Sequence, residues 1–239
     1  MPSDADMGNS EIGHNAIGCG RIFAQGAKLV NESIKSGALF EGAVWKELIQ
    51  NVNDHNSGLH FIGLLSDGNV HSHIKHLEAL LTAARNGGVK NAYVHILLDG
   101  RDVPPTSALD YVDRLERYIS ELNSDSDVDF AIASGGGRMQ ITMDRYQANW
   151  GMVELGWKTH VLGEGRMFES ARAAIEKLRE ESPGVIDQDL PPFVIERNNR
   201  PLAPIEENDS VIFYNFRGDR AIEISLAFEQ VEFDRFPRS

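Results

Sequence analysis

The sequence predicts an α/β fold in which a mainly parallel sheet is flanked by helices, and three observations predict it. Four runs rich in apolar and β-branched residues, at 59–66, 92–98, 128–134 and 211–216, have the length and composition of buried strands. Amphipathic patterns at helical spacing separate the first three runs. Each run then leads directly into a polar loop that carries glycine with aspartate, histidine or arginine. Strands alternating with helices imply right-handed crossovers, and hence parallel neighbours.

The elements follow in order. The opening segment to about Gly37 has apolar residues at helical spacing but is interrupted by Gly13, Gly18, Gly20 and Gly26. Such glycines weaken a helix, so they mark breaks or close backbone approaches. The run 59–66 ends in Asp67-Gly68-Asn69-Val70-His71-Ser72-His73, and Ile74, Leu77, Leu80, Leu81 and Ala84 form the helical stripe after it. The run 92–98 ends in Asp99-Gly100-Arg101-Asp102-Val103-Pro104-Pro105, with a second stripe at Leu109, Val112, Leu115, Ile119 and Leu122. After a loop at 123–127, the run 128–134 passes into a loop opening Gly135-Gly136-Gly137-Arg138-Met139. Helices are expected at 144–155, 168–181 and 219–229. Residues 182–192 are acidic, contain proline and read as a loop, followed by a short strand at 193–196 and a turn at 198–201. The run 211–216 ends in Arg217-Gly218-Asp219-Arg220.

With 239 residues the chain suits one large domain, or one domain plus a fragment, with an ample core. No apolar run reaches bilayer length and the amino terminus lacks a charged-then-apolar leader pattern, so a cytoplasmic protein with no membrane partner is expected. Cys19 is the single cysteine, which excludes an internal disulfide and suits a reducing compartment. Its glycine neighbours suggest a packing role. The net charge of −13 and the absence of a Lys/Arg run argue against a nucleic-acid surface. They leave small anions open as ligands, because there the placement of individual arginines decides.

In an open parallel sheet the four loops share one edge, and ligands bind outside the carboxyl ends of the strands. Arg101, Arg138, Arg145, Arg217 and Arg220 would then converge on one rim, with forks suited to phosphate and carboxylate. Gly135, Gly136 and Gly137 would let the backbone approach a ligand closely. Any one arginine is an ordinary surface or salt-bridged residue, but five in four corresponding loops point to a small polyanion. His71 suits a hydrogen-bonding or acid/base role there. Asp102 would orient Arg101 or act as a base, or else form a structural pair with arginine. A metal site built from His71, His73 and His76 is the weaker alternative, with His76 expected to face solvent. His14, His55, His60, His95 and His160 form no second cluster in sequence. Ser10 lies between a Gly-Asn turn and a segment at helical spacing. A helix amino terminus there would favour a phosphoryl group, unless Asn9 or Ser10 merely caps the helix.

Six segments, in this order, resemble one family: Met7-Gly8-Asn9-Ser10-Glu11-Ile12-Gly13-His14-Asn15, Ser66-Asp67-Gly68-Asn69-Val70-His71-Ser72, Asp99-Gly100-Arg101-Asp102, Gly135-Gly136-Gly137-Arg138, Met143-Asp144-Arg145-Tyr146 and Asn215-Phe216-Arg217-Gly218-Asp219-Arg220. The resemblance is to the cofactor-independent (2,3-bisphosphoglycerate-independent) phosphoglycerate mutases, which interconvert 3-phosphoglycerate and 2-phosphoglycerate through a phosphoserine. It implies that Ser10 takes the phosphoryl group and coordinates one of two divalent metal ions, usually manganese. It implies that His71, Arg101, Asp102, Arg138, Arg145, Arg217 and Arg220 hold the phosphoglycerate, and that Asp102 moves protons on its hydroxyls. Asn69 departs from the family by standing where glycine is usual; asparagine tolerates the same left-handed backbone. Family members are about twice as long and draw most of their metal ligands from further along. The resemblance therefore implies that residues 1–24 are a short remnant of an alkaline-phosphatase-like metal domain and residues 25–239 the phosphotransferase, substrate-binding domain. The 239 residues would be an incomplete and inactive part of a cytoplasmic, monomeric enzyme. Two other readings compete: a stand-alone binding module for phosphorylated metabolites, and a metal hydrolase built on His71 and His73.

Overall fold

The position of the first strand in the sheet decides where the site lies. A computed structural model describes residues 14, 17–20, 26–124 and 127–238. Ser10, and with it most of the expected remnant at 1–24, lies outside the described residues. The elements run α1 (Ala27–Ser36), α2 (Ala38–Glu41), α3 (Ala43–His55), β1 (Gly58–Leu65), α4 (Ile74–Asn86), β2 (Asn91–Leu98), α5 (Ala108–Leu122) and β3 (Asp129–Gly137). They continue with α6 (Trp150–His160), β4 (Arg166–Phe168), α7 (Ala171–Glu181), β5 (Phe193–Arg197), β6 (Arg200–Pro201), β7 (Ser210–Phe213) and α8 (Ile222–Glu229). Tight 3-10 turns occupy Asp187–Asp189 and Gly218–Arg220.

The sheet order is β4-β5-β3-β2-β1-β7, with β6 paired to β5. Strands β3, β2, β1 and β7 are mutually parallel, as expected, while β5 joins β3 antiparallel. The chain thus builds from β1 outward through β2 and β3, then returns to the other side of β1 as β7. That reversal is a topological switch point, and it lies between β1 and β7.

Side chains alternate across each strand, so the sheet has two faces. Leu59, Phe61 and Leu65 of β1 and Val94, Ile96 and Leu98 of β2 pack with Leu77 and Leu81 of α4, Val112 and Leu115 of α5 and Ile175 of α7. On the opposite face, Leu64 and Leu97 pack with Ile141 and Met143. Helices α6 and α8 add a further cluster built on Val153, Trp157, Ile224 and Phe236. The register between β2 and β3 slips between Val94 and His95, so that Ser134 lies beside His95. Such a bulge re-aims the residues beyond it.

Several expected boundaries move, each for a local reason. Helix α6 starts at Trp150 rather than 144, because the Asp144 carboxylate accepts from the Asn149 backbone N–H (2.7 Å) and Asn149 itself caps the helix through Met152 N–H (3.2 Å). Residues 166–168 pair with β5 before the Ser170 hydroxyl oxygen caps α7 by accepting from Ala173 N–H (3.1 Å). A 3-10 turn occupies Gly218–Arg220, so α8 begins only at Ile222. Strand β3 runs on through Gly137, which places the three glycines in the sheet rather than in a loop. Their role is also corrected. A β-carbon on Gly135 would lie 2.6 Å from the Phe193 ring, and one on Gly137 2.2 Å from the Gln188 carbonyl oxygen. These glycines admit neighbouring protein, not ligand. Cys19 is exposed, so the packing role expected for it is not found.

Candidate active site

The loops after β1, β2, β3 and β7 meet at the carboxyl edge because their strands are parallel neighbours. The loop after β1 turns through Asn69 at φ 56°, the left-handed conformation for which asparagine is suited. It then delivers His71, which is buried, and the His71 carbonyl accepts from Phe216 N–H (2.8 Å), tying this loop to the one after β7.

The loop after β2 is organised by Asp99, a buried carboxylate that the sequence reading missed. One of its oxygens accepts from the backbone N–H of Arg101 (3.2 Å) and Asp102 (3.1 Å) and from Arg138 Nη1 (2.9 Å). Arg138, only 1 % exposed, also donates to Asp102 Oδ2 at 2.6 Å. Of the roles expected for Asp102, orienting its neighbour Arg101 is not found; it pairs with Arg138 from the next strand instead. Arg101 is exposed at the rim.

The loop after β3 bends at Thr142, whose φ of 67° is unusual for a β-branched residue, and carries Met143, Asp144 and Arg145. From the loop after β7, Arg220 Nη1 donates to the Met143 carbonyl (2.7 Å) and Arg217 to Asp219 (2.8 Å). Arg145 lies 3.8 Å from the same Asp219 carboxylate. Residues more than a hundred positions apart in sequence thus share one cleft at the switch point.

The electrostatics of the cleft favour an anion. Burial, and then the charges of Arg138, Arg145 and Arg101 against the single opposing Asp219, push the Arg220 guanidinium below its ordinary pKa. Burial, followed by Arg138, Arg217 and Arg220 with Asp219 opposing, brings His71 down to about 3. His71 is therefore a neutral hydrogen-bonding group at pH 7, and a bound anion would relieve the repulsion around it. Three nitrogens in the cleft, His71 Nδ1, Arg138 Nε and Arg217 Nε, are buried without a hydrogen-bond partner among the described residues.

The histidine alternative fares differently. His73 Nδ1 accepts from Lys75 N–H (3.1 Å) as the cap of α4. His76, expected in solvent, is buried and bonds through Nε2 to Asn31 Oδ1 (2.7 Å). Among the described residues no group of three or more His, Cys, Asp or Glu side chains is arranged to hold a metal ion. No helix among them is long and apolar enough to cross a membrane. A cavity of about 420 Å³ lies at the opposite, amino-terminal edge of the sheet, lined by His55, His60, Tyr93, Glu206 and Asp209 among others. The converging cations, rather than cavity size, single out the carboxyl edge.

The arrangement has close counterparts. Residues 30–239 match the family model described as the BPG-independent PGAM N-terminus. The chain is 60 % identical over 238 residues to a probable 2,3-bisphosphoglycerate-independent phosphoglycerate mutase of Leptospira interrogans, covering 100 % of this chain and 43 % of that protein. It is 50 % identical over 239 residues to the 2,3-bisphosphoglycerate-independent phosphoglycerate mutase of Trypanosoma brucei brucei, with the same two coverages, 100 % and 43 %. The crystal structure of Leishmania mexicana phosphoglycerate mutase at low cobalt concentration superposes with a TM-score of 0.96 at 48 % identity, over 100 % of this chain and 43 % of that one. The chain therefore spans less than half the length of the relatives it matches.

Proposed function

Since the chain belongs to the BPG-independent phosphoglycerate mutase family, we propose that it is the substrate-holding part of an isomerase that interconverts 3-phosphoglycerate and 2-phosphoglycerate through a phosphoserine. The observation that supports this reading best is the convergence of Arg138, Arg145, Arg217, Arg220 and His71 on the switch point. In our reading the arginine forks, Arg101 included, clamp the carboxylate and phosphate. Neutral His71 donates a hydrogen bond, and Asp102, tethered through Oδ2 to Arg138, carries protons on the glycerate hydroxyls. Clamping the glycerate while the phosphoryl group resides on Ser10 brings the second hydroxyl to it, so positioning supplies much of the rate. Residues 1–24, with Ser10, are assigned to the metal domain and residues 25–239 to the phosphotransferase domain.

The described residues do not fit a metal ion, so no step is derived through one. Two divalent ions, manganese in this proposal, are assigned to a protein of the relatives' full length, with Ser10 as one ligand. We further assign it to the cytoplasm as a monomer whose partner is the phosphoglycerate, not nucleic acid or membrane. Calorimetry with 3-phosphoglycerate tests the cleft. Arg217→Ala combined with Arg220→Ala should weaken binding about a hundredfold, the size of two charge-assisted hydrogen bonds, and unchanged affinity would refute the reading. An enolase-coupled assay with Mn²⁺ should find no turnover by the 239 residues alone; turnover would contradict the placement of the metal site.

A further inference from the structure

A row of buried polar side chains crosses beneath the sheet, on the face opposite the main core, and the proposed reaction does not use it. His60 Nε2 meets Asp209 Oδ2 at 3.0 Å, and His60 Nδ1 meets His95 Nε2 at 2.9 Å. His95 Nδ1 meets Ser134 Oγ at 2.7 Å, Ser134 Oγ meets His160 Nδ1 at 2.7 Å, and His160 Nε2 meets Thr142 Oγ1 at 3.0 Å. His60, His95, Ser134, Thr142 and His160 are each no more than 1 % exposed. The row starts at the amino-edge cavity, where His60 and Asp209 form part of the lining, and ends at Thr142 beside the cleft.

One direction of donation satisfies every group in the row. Burial alone would raise the Asp209 carboxyl, yet the His60 ring and the backbone N–H groups of Glu206 and Gly58 hold it below its ordinary value, so it is an acceptor. His60 Nε2 must then donate. In the relay its Nδ1 accepts from His95 Nε2. His95 is wholly buried and held neutral by that burial and by its two histidine neighbours, so its Nδ1 accepts from the Ser134 hydroxyl. Ser134 Oγ in turn accepts from His160 Nδ1. His160, which burial brings down to about 3, is left with a bare Nε2, and the Thr142 hydroxyl donates to it. All five bonds point the same way, a pattern in which each bond polarises the next.

Thr142 is where the row acts on the backbone. Its φ of 67° is sparsely populated for a threonine, and such conformations persist only where surrounding contacts over-determine them. Helix α6 presses on it closely: a β-carbon at Gly156 would lie 2.2 Å from Thr142 Oγ1. The next residue supplies the carbonyl that holds Arg220, and Arg145 follows two residues later.

We propose that Asp209, His60, His95, Ser134 and His160 form a one-directional hydrogen-bond relay of positioning residues. The relay locks Thr142 in its left-handed conformation and thereby places the Met143 carbonyl and Arg145 at the cleft. The final step, from loop geometry to ligand, rests on the anion reading of the cleft.

Long-range ¹⁵N NMR on the 239-residue chain at neutral pH reads the tautomers directly. The expected pattern is a proton on Nε2 of His60 and His95 and on Nδ1 of His160; the opposite tautomer or an imidazolium at any of the three overturns the relay. Ser134→Ala interrupts the row at its centre, and Thr142→Val removes its last hydroxyl with little change of shape. Each should speed amide exchange at Thr142 relative to β1 by about fivefold, the size of one hydrogen bond, and weaken 3-phosphoglycerate binding similarly. Thr142→Ser, which keeps the hydroxyl, should behave as wild type. Wild-type exchange at Thr142 in both interrupted variants would reduce the row to core filling and end the proposal. Should the wild-type chain fail to bind 3-phosphoglycerate, the cleft reading falls, while tautomers and exchange still decide the relay.

Discussion

Two of the polar clusters buried among the described residues follow opposite rules. In the histidine row each ring nitrogen has a partner, at 2.7 to 3.0 Å. At the carboxyl edge, His71 Nδ1, Asn69 Oδ1, Asp99 Oδ2, Arg138 Nε and Arg217 Nε are buried with no such partner among the described residues. An unpaired buried polar group costs far more than a paired one contributes, so groups left open need a reason. The contrast is one of pairing: the row satisfies itself, whereas these edge groups do not, in keeping with the anion-holding role proposed for the cleft.

The comparison can be broken most severely at Arg138, which belongs to both categories. Its Nη1 group neutralises Asp99 and Asp102 while its Nε remains open. Arg138→Met should destabilise the fold by about 3–5 kcal/mol in urea denaturation, because it leaves the buried Asp99 carboxylate uncompensated. A variant as stable as wild type would mean that the cleft carboxylates do not depend on this ion pair.

A second test uses pH. His71 and His160 are both held at about 3, against an ordinary value of 6.5. Above 6.5 the rings are neutral in folded and unfolded chains alike, so the full stability is present. As pH falls from 6.5 towards 3 the unfolded chain takes up protons that the folded rings refuse, and stability is lost. Urea midpoints should therefore decline across that window; a flat profile would show that the rings are not held neutral. Phosphate should sharpen the contrast by raising the His71 titration towards neutrality while leaving His160 unmoved, as ring NMR would report. Equal movement of both would erase the distinction between site and scaffold. The smallest effect belongs to Asn69→Gly, which keeps the left-handed turn and should change stability by no more than about 0.5 kcal/mol; a larger loss would give the Asn69 amide a structural role.

What the sequence made legible was whatever is written locally. The four parallel strands are continuous apolar runs, and the loops that follow them announce their chemistry through arginine, histidine and glycine. Helix α3 was not foreseen because only Ile49 and Val52 of its thirteen residues are buried, too faint a stripe to read. Gly135, Gly136 and Gly137 looked like a ligand cradle because sequence does not show that β5 and the 187–189 turn lie against them. Asp99 went unremarked, since nothing in the run from Asp99 to Asp102 says which carboxylate is buried. His60, His95 and His160 were read as unrelated, and they are far apart in the chain. Their signal was polarity inside apolar strands: His60 in β1, His95 in β2 and Ser134 in β3 have no reason to be there unless they meet. Even so, the meeting of His95 with Ser134 depends on the slip between Val94 and His95, a feature of register rather than composition.

The place of β7 also has a consequence for how the molecule is made. Strand β1 emerges from the ribosome well before one of its two neighbours, β7, whose Ser210 pairs with Leu59 from 151 residues further on. Long-range pairing of this kind is slow because the intervening loop must close first. Until Ser210–Phe213 arrives, β1 is an open edge all eight of whose residues are buried in the finished fold, the kind of strand most prone to pair with a stranger. The wall that completes the cleft is thus also the one that covers the open edge of β1.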